Sequence, residues 1–286
     1  MKTAYFKYIF ALLLFGTNGI VASFINLSSY EIVLLRTLIG SLLLIFIFFI
    51  TKNNLTFYKH KKQFLFLAVS GIAMGASWMF LYEAYRQIGV SLASLSYYCG
   101  PVIVMVLSPF LFNEKLTKTK IISFLVVLAG IFLVNGTSQN IGKNIWGLFC
   151  GIASAFCYTF MVIFNKKAKN ITGLENAMLQ LFVSFLTVAV FVGIKQGYHM
   201  QIDSQSILPI IILGIFNTGI GCYFYFSSIG KLPVQTVAIC GYSEPLSAVI
   251  FSMLFLKEVM LPVQIFGAVL IIGGAVLGES KSSLPA

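Results

Sequence analysis

The stretch GVSLASLSYYCGPVIVMVLSPFLFNEKLTKTK, Gly89 to Lys120, decides the fold. It is apolar and long enough to cross a bilayer. Pro101 stands at its middle, and Glu114-Lys115 closes it. The same design returns 144 residues later as PVQTVAICGYSEPLSAVIFSMLFLKEVMLPVQ, Pro233 to Gln264. At that offset Tyr98 meets Tyr242, Pro101 meets Pro245, Ser108 meets Ser252 and Glu114 meets Glu258. The chain reads as two copies of one unit, a pattern that governs the fold before any local signal does.

Composition names the solvent. Of 286 residues, 59% are hydrophobic and 9% charged, with a mean hydropathy of +0.95. A soluble domain of this size cannot hide so much apolar surface; a lipid bilayer accepts it. The net charge of +11 is spread over short loops and forms no face for nucleic acid, so no nucleic-acid partner is expected. The five cysteines all fall in apolar runs without ligand spacing, and His60 and His199 have no partner, so neither a metal nor His-based catalysis is expected. Lysine far outnumbers arginine, which points to an AT-rich prokaryotic genome and hence to a prokaryotic cell membrane.

Ten stretches are long and apolar enough to predict membrane-spanning helices: 5–25, 30–50, 64–84, 90–112, 119–136, 144–164, 175–195, 207–229, 233–256 and 262–278. They are continuous rather than alternating, which favours helices over a barrel. Ser28 to Glu31 and Thr172 to Glu175, again 144 apart, each have the spacing of a capping box. Each half therefore holds five helices, 1–137 and 138–286. Five is odd, so the second copy enters the membrane upside down. Loop charge agrees. With the N-terminus inside, fourteen lysines lie on the inner side and four basic residues on the outer, leaving Arg36 within a helix. Both termini are expected in the cytoplasm.

A ten-helix chain of inverted five-helix halves resembles the EamA-like branch of the drug/metabolite transporter superfamily. The resemblance covers nearly the whole chain. It rests on Pro101 and Pro245, Glu114 and Glu258, Gly130 and Gly274, the Phe15–Asn18 turn and Arg36. It implies export or exchange of small metabolites, often amino acids, through a central cavity open alternately to each side.

Inverted repeats place a substrate site near the bilayer midplane, where helices are interrupted. Glu244 lies ten residues into its span, about 15 Å deep at 1.5 Å per residue. Its neighbour Pro245 frees a backbone carbonyl about one turn earlier. An intramembrane carboxylate beside a loosened backbone suits a cation, a proton or a substrate amine; the alternative is a structural acid tied to a neighbouring helix. Trp78 and Tyr82, four apart on one helix face, form with Tyr98 and Tyr242 an aromatic group expected around that carboxylate, or plain packing. Arg36 either holds a substrate carboxylate or makes a structural pairing at the outer gate. Asn18 with Thr17, and Asn217 with Thr218, either line the cavity or bond across helices. Glu83 and Arg86 are spaced as an interfacial pair.

These residues point to a secondary transporter of a small-molecule substrate, coupled to protons or to a counter-substrate through Glu244. A multidrug or organic-cation exporter is the alternative within that class; a non-transporting membrane scaffold is the alternative outside it. No Walker motif is present, and no cofactor is expected. Paired carboxylates, a His cluster or a nucleophile with a base are lacking, so an enzyme is not expected.

Overall fold

The computed structural model describes residues 2–100, 103, 104, 107, 118–136, 141–229, 241 and 243–280. Pro101, Glu114, Tyr242, most of the 90–112 stretch and the boundary at 137/138 lie outside them. Its elements are α1 (Lys2–Gly16), α2 (Asn18–Ser23), α3 (Ser29–Ile50), α4 (Lys61–Tyr97), α5 (Lys118–Gly136), α6 (Ile141–Lys167), α7 (Gly173–Lys195), α8 (Ser204–Ile212), a π-helical stretch (Leu213–Ile220), α9 (Gly221–Ile229), α10 (Ser243–Phe255) and α11 (Pro262–Ser280). Among the described residues, six helical spans are long and apolar enough to cross a membrane. They match six of the ten expected spans. The final two helices yield only shorter apolar segments, Leu246–Phe255 and Pro262–Gly274.

The bundle is turned inside out relative to a soluble protein. On α3 the buried face carries Arg36, Thr37, Gly40 and Ser41, while Leu42, Phe46 and Phe49 point outward and are exposed. Lipid offers helices no hydrophobic reason to associate, so small residues and interhelical hydrogen bonds hold them together. Between α4 and α6, Ser70 donates to the Met161 carbonyl at 2.7 Å and Ser77 to the Ser154 carbonyl at 2.9 Å. Between α5 and α11, a Cβ on Gly130 would stand 2.7 Å from the Gly267 carbonyl oxygen, so only glycine permits that approach.

The duplication is visible in the packing. α3 lies against the π-helical stretch, and its repeat mate α7 lies against α4. Arg36 bonds Thr218 at 2.8 Å; their mates at the 144-residue offset, Gln180 and Met74, contact each other at 3.5 Å. The mated helix faces meet twice, each time between one half and the other, with different chemistry in the middle.

The two expected caps fare differently. Ser28 and Glu31 form the full capping box of α3. Thr172 makes no side-chain cap on α7. Glu175 instead accepts from the Thr56 backbone at 2.5 Å, the Thr56 hydroxyl at 2.6 Å and the Phe57 backbone at 2.9 Å. The three donors of the short 3₁₀ turn Phe57–Lys59 and its lead-in outbid a single cap hydroxyl.

α4 kinks at Gly89, where φ is 80° and ψ is 167°. The restart leaves backbone N–H groups without helical partners. Glu258 fills that role, accepting from Val90 at 2.8 Å, from the Ser91 backbone at 3.0 Å and from its hydroxyl at 2.7 Å. A distant carboxylate thus caps the start of the stretch that defines the repeat.

Candidate functional site

Arg36 is the hub of the buried polar groups. It is 1% exposed, the largest of the fully buried side chains among the described residues. α3 aims it across the bundle, where Thr218 anchors Nε at 2.8 Å. Nη1 donates to the Tyr82 hydroxyl, and Nη2 reaches Asn18 Oδ1 at 3.4 Å. The guanidinium lies over the rings of Trp78 at 4.4 Å and Tyr82 at 4.9 Å from their centroids. Four of the expected site residues, Arg36, Trp78, Tyr82 and Asn18, therefore meet in one cluster. Trp78 and Tyr82 share a face of α4 as their spacing predicts, but they stack on the arginine and not, as expected, around the carboxylate. The guanidinium is planar and presents a donor fork that suits ring faces and hydroxyls together.

Thr218 owes its position to the π-helical stretch. Its hydroxyl donates to the Leu213 carbonyl at 2.8 Å, five residues back, and accepts from Arg36. Such widened turns recur at functional sites because they free backbone groups and re-aim side chains. Asn217, next door, points the other way: its amide donates to the Leu14 carbonyl at 2.7 Å and to the Thr17 hydroxyl at 2.8 Å. It supports the break between α1 and α2, so of the two readings for this pair, bonding across helices describes Asn217.

Glu244 heads α10 and forms a second centre. Tyr98 is its side-chain hydrogen-bond partner, and the Arg36 guanidinium is close enough to act on it electrostatically. Tyr85, Tyr97, Tyr158 and Tyr225 also lie within its electrostatic reach. Their rings are linked: Tyr97 stands 5.2 Å from both Tyr98 and Tyr158, and Tyr82 stands 5.3 Å from Tyr85. Linked tyrosines thus gather around the partly buried Glu244 carboxyl group, within electrostatic reach of the buried Arg36. Tyr85 was not singled out by the sequence reading, although its place one turn after Tyr82 was the available signal.

A cavity of about 840 Å³ opens at the end of the bundle remote from Lys2. That size lies in the usual range for small-ligand sites. Gly19, Asn26, Ile32, Tyr82, Arg86 and Val90 are among the residues that line it, together with Tyr85. Tyr82, which carries the Arg36 contact, thus belongs to the cavity wall. Asp203 caps α8 through the Ser206 N–H at 2.8 Å and accepts from the amide of the lining residue Asn26 at 2.8 Å. The Ser206 side chain first, then the Asn26 amide and the Ser206 N–H, hold its carboxyl below the usual aspartate range.

Glu83 and Arg86, spaced as an interfacial pair, interact electrostatically while their hydrogen bonds go elsewhere. Ser29 donates to Glu83, as do Gln87 at 2.9 Å and Trp146 at 3.4 Å. Arg86 donates instead to the Leu27 carbonyl at 3.2 Å. Among the described residues no cluster of three or more metal-binding side chains occurs.

Comparison with known proteins agrees with the inside-out, duplicated bundle. A crystal structure superposes with a TM-score of 0.71 over 98% of this chain and 99% of that chain, at 17% identity, a likeness of fold. The chain is 25% identical to the uncharacterized transporter YxxF of Bacillus subtilis over 96% of its own length and 89% of that protein. It is 27% identical to an uncharacterized transporter of Helicobacter pylori strain J99, over 86% and 85%. It is 20% identical to human solute carrier family 35 member G1, over 70% and 58%. The family model for EamA-like transporters matches twice, over residues 2–136 and 145–278. With both matches together spanning almost the whole chain, this protein belongs to the EamA-like transporter family.

Proposed function

We propose that this transporter is secondary-active and exports or exchanges small metabolites such as amino acids by alternating access. The observation that carries the reading is the cavity whose wall includes Tyr82, which bonds the buried Arg36, itself within electrostatic reach of Glu244. Lysine-rich loops at the opposite end support a cavity mouth on the outer side and both termini in the cytoplasm. In that arrangement the structure is open outward. The two five-helix halves, divided near 137/138, rock about the site, and the proposal puts the bending at Pro101 and Pro245 of the repeated stretches. Glu244 carries the coupling to protons or to a counter-substrate.

The test is uptake of a labelled amino-acid mixture into proteoliposomes, with and without a pH gradient, beside Glu244→Gln. Wild-type uptake is expected to respond to the gradient, and the variant is expected to lose at least about tenfold in rate. A Glu244→Gln protein with unchanged uptake and unchanged pH dependence removes Glu244 from the mechanism. The alternative substrate class, organic cations, draws its support from the tyrosines around Glu244. It wins if amino acids are ignored and lipophilic cations are moved.

A further inference from the structure

The inverted repeat supplies an internal control for Arg36. Its mate is Gln180, which is equally buried at 0% exposure and sits in the matching helix–helix contact. A neutral amide therefore serves the packing role at that position. A buried charge does so at a cost of several kcal/mol unless it is well paired. Arg36 makes no hydrogen bond to an acid: its three hydrogen-bond partners, Thr218, Tyr82 and Asn18, are all neutral, and Glu244 acts on it only through space. The contacts are also unequal. Nε is fixed at 2.8 Å, whereas Nη2 has only a long 3.4 Å contact. Nη2 is the least satisfied nitrogen of the guanidinium. Of the two partners of the Nη1–Nη2 fork, Tyr82 lines the cavity, and Asn18 directly precedes the lining residue Gly19.

Resting on the transporter reading above, we infer that Arg36 is the receptor for an anionic group, a carboxylate, on the transported molecule, with the Tyr82 hydroxyl as its placeholder. The carboxylate enters from the cavity, displaces the Tyr82 hydroxyl from Nη1 and engages Nη1 and Nη2 in the two-bond geometry for which a guanidinium is built. Thr218 holds Nε throughout and keeps the fork aimed. Trp78 and Tyr82 cover the guanidinium faces and exclude water, which strengthens the pair. The same charge disfavours purely cationic cargo at this point of the path.

The test measures binding to purified, detergent-solubilised full-length protein by calorimetry. The probes are leucine with leucinamide, phenylalanine with phenylalaninamide, and N-acetylleucine, which keeps the carboxylate and loses the amine. Wild type is expected to prefer each acid over its amide by about tenfold or more. Arg36→Gln, which installs the residue of the other repeat, is expected to bring acid and amide within about twofold. Arg36→Lys restores part of the preference. Tyr82→Phe frees Nη1 and is expected to tighten acids several-fold while leaving amides unmoved; it carries the test if Arg36→Gln fails to fold. Equal binding of acids and amides by wild type overturns the inference, as does preference that survives in Arg36→Gln. Flux of amides or cations without binding of any acid overturns it while leaving the transporter reading standing. Acid-selective binding that depends on Arg36, without flux, does the reverse.

Discussion

Single residues here act by bridging points far apart in the chain. Asn217 supports the Leu14 carbonyl and the Thr17 hydroxyl across roughly two hundred residues. Asn217→Ala removes both bonds, and a loss of about 1–2 kcal/mol is expected, read as a lower unfolding temperature in detergent. Asp203 fastens α8 to the 24–28 loop through Ser206 and Asn26. Its folded-state pKa is depressed, so its contribution is present above the unfolded pKa and is lost as pH falls through the lower folded value. Acidification below the ordinary aspartate range is expected to speed amide exchange at Ser206, and Asp203→Asn is expected to abolish that pH dependence. Part of the candidate site was legible at this scale. An arginine inside an apolar run announces itself, and the four-residue spacing of Trp78 and Tyr82 put them on one face. The link from Arg36 to Thr218 was not legible, because it spans 182 positions and depends on a widened helical turn that leaves no periodicity in the sequence. The aromatic group assigned to the carboxylate divided between two charges for the same reason: spacing fixes a face, not what the face meets.

At the scale of elements, caps and kinks decide how the helices join. Gly89 restarts α4 with a backbone conformation open to glycine almost alone. A methyl group there would also stand 2.9 Å from Glu258 Oε1. Gly89→Ala is expected to cost ~1–3 kcal/mol, and Glu258→Gln is expected to weaken the cap without breaking the kink; thermal unfolding ranks the two. Ser28→Ala opens the capping box of α3 at a cost of about 1 kcal/mol, whereas Thr172→Ala is expected to leave stability within ~0.5 kcal/mol. The contrast follows from what each acid found. Glu31 had only its own helix start within reach, while Glu175 faced three donors from the 56–57 turn. The sequence pattern was the same in both halves, and tertiary surroundings separated them.

For the whole molecule, the apolar runs made the helical spans readable, since length and hydropathy alone specify a bilayer-crossing helix. Orientation is an expectation of loop charge, and cysteine labelling checks it. A membrane-impermeant maleimide is expected to label Gln201→Cys in intact cells and Asn54→Cys only after permeabilisation; the opposite pattern would place the cavity mouth in the cytoplasm. Both positions are exposed; of the described native cysteines Cys99, Cys150 and Cys222 are buried and Cys157 is half-buried, so the parent protein carries Cys157→Ser. The exchange of Arg36 for Gln180 between the halves reaches further than local chemistry. A gene doubled and flipped begins as a reversible device, alike from either side. On the proposed alternating-access reading, a buried cation at one mated position and a neutral amide at the other together end that equivalence. The two strokes of such a cycle share a hinge but not a grip, so cargo is expected to dwell unequally on them. The gradient then decides which way material flows, while the asymmetry decides where along the journey it waits.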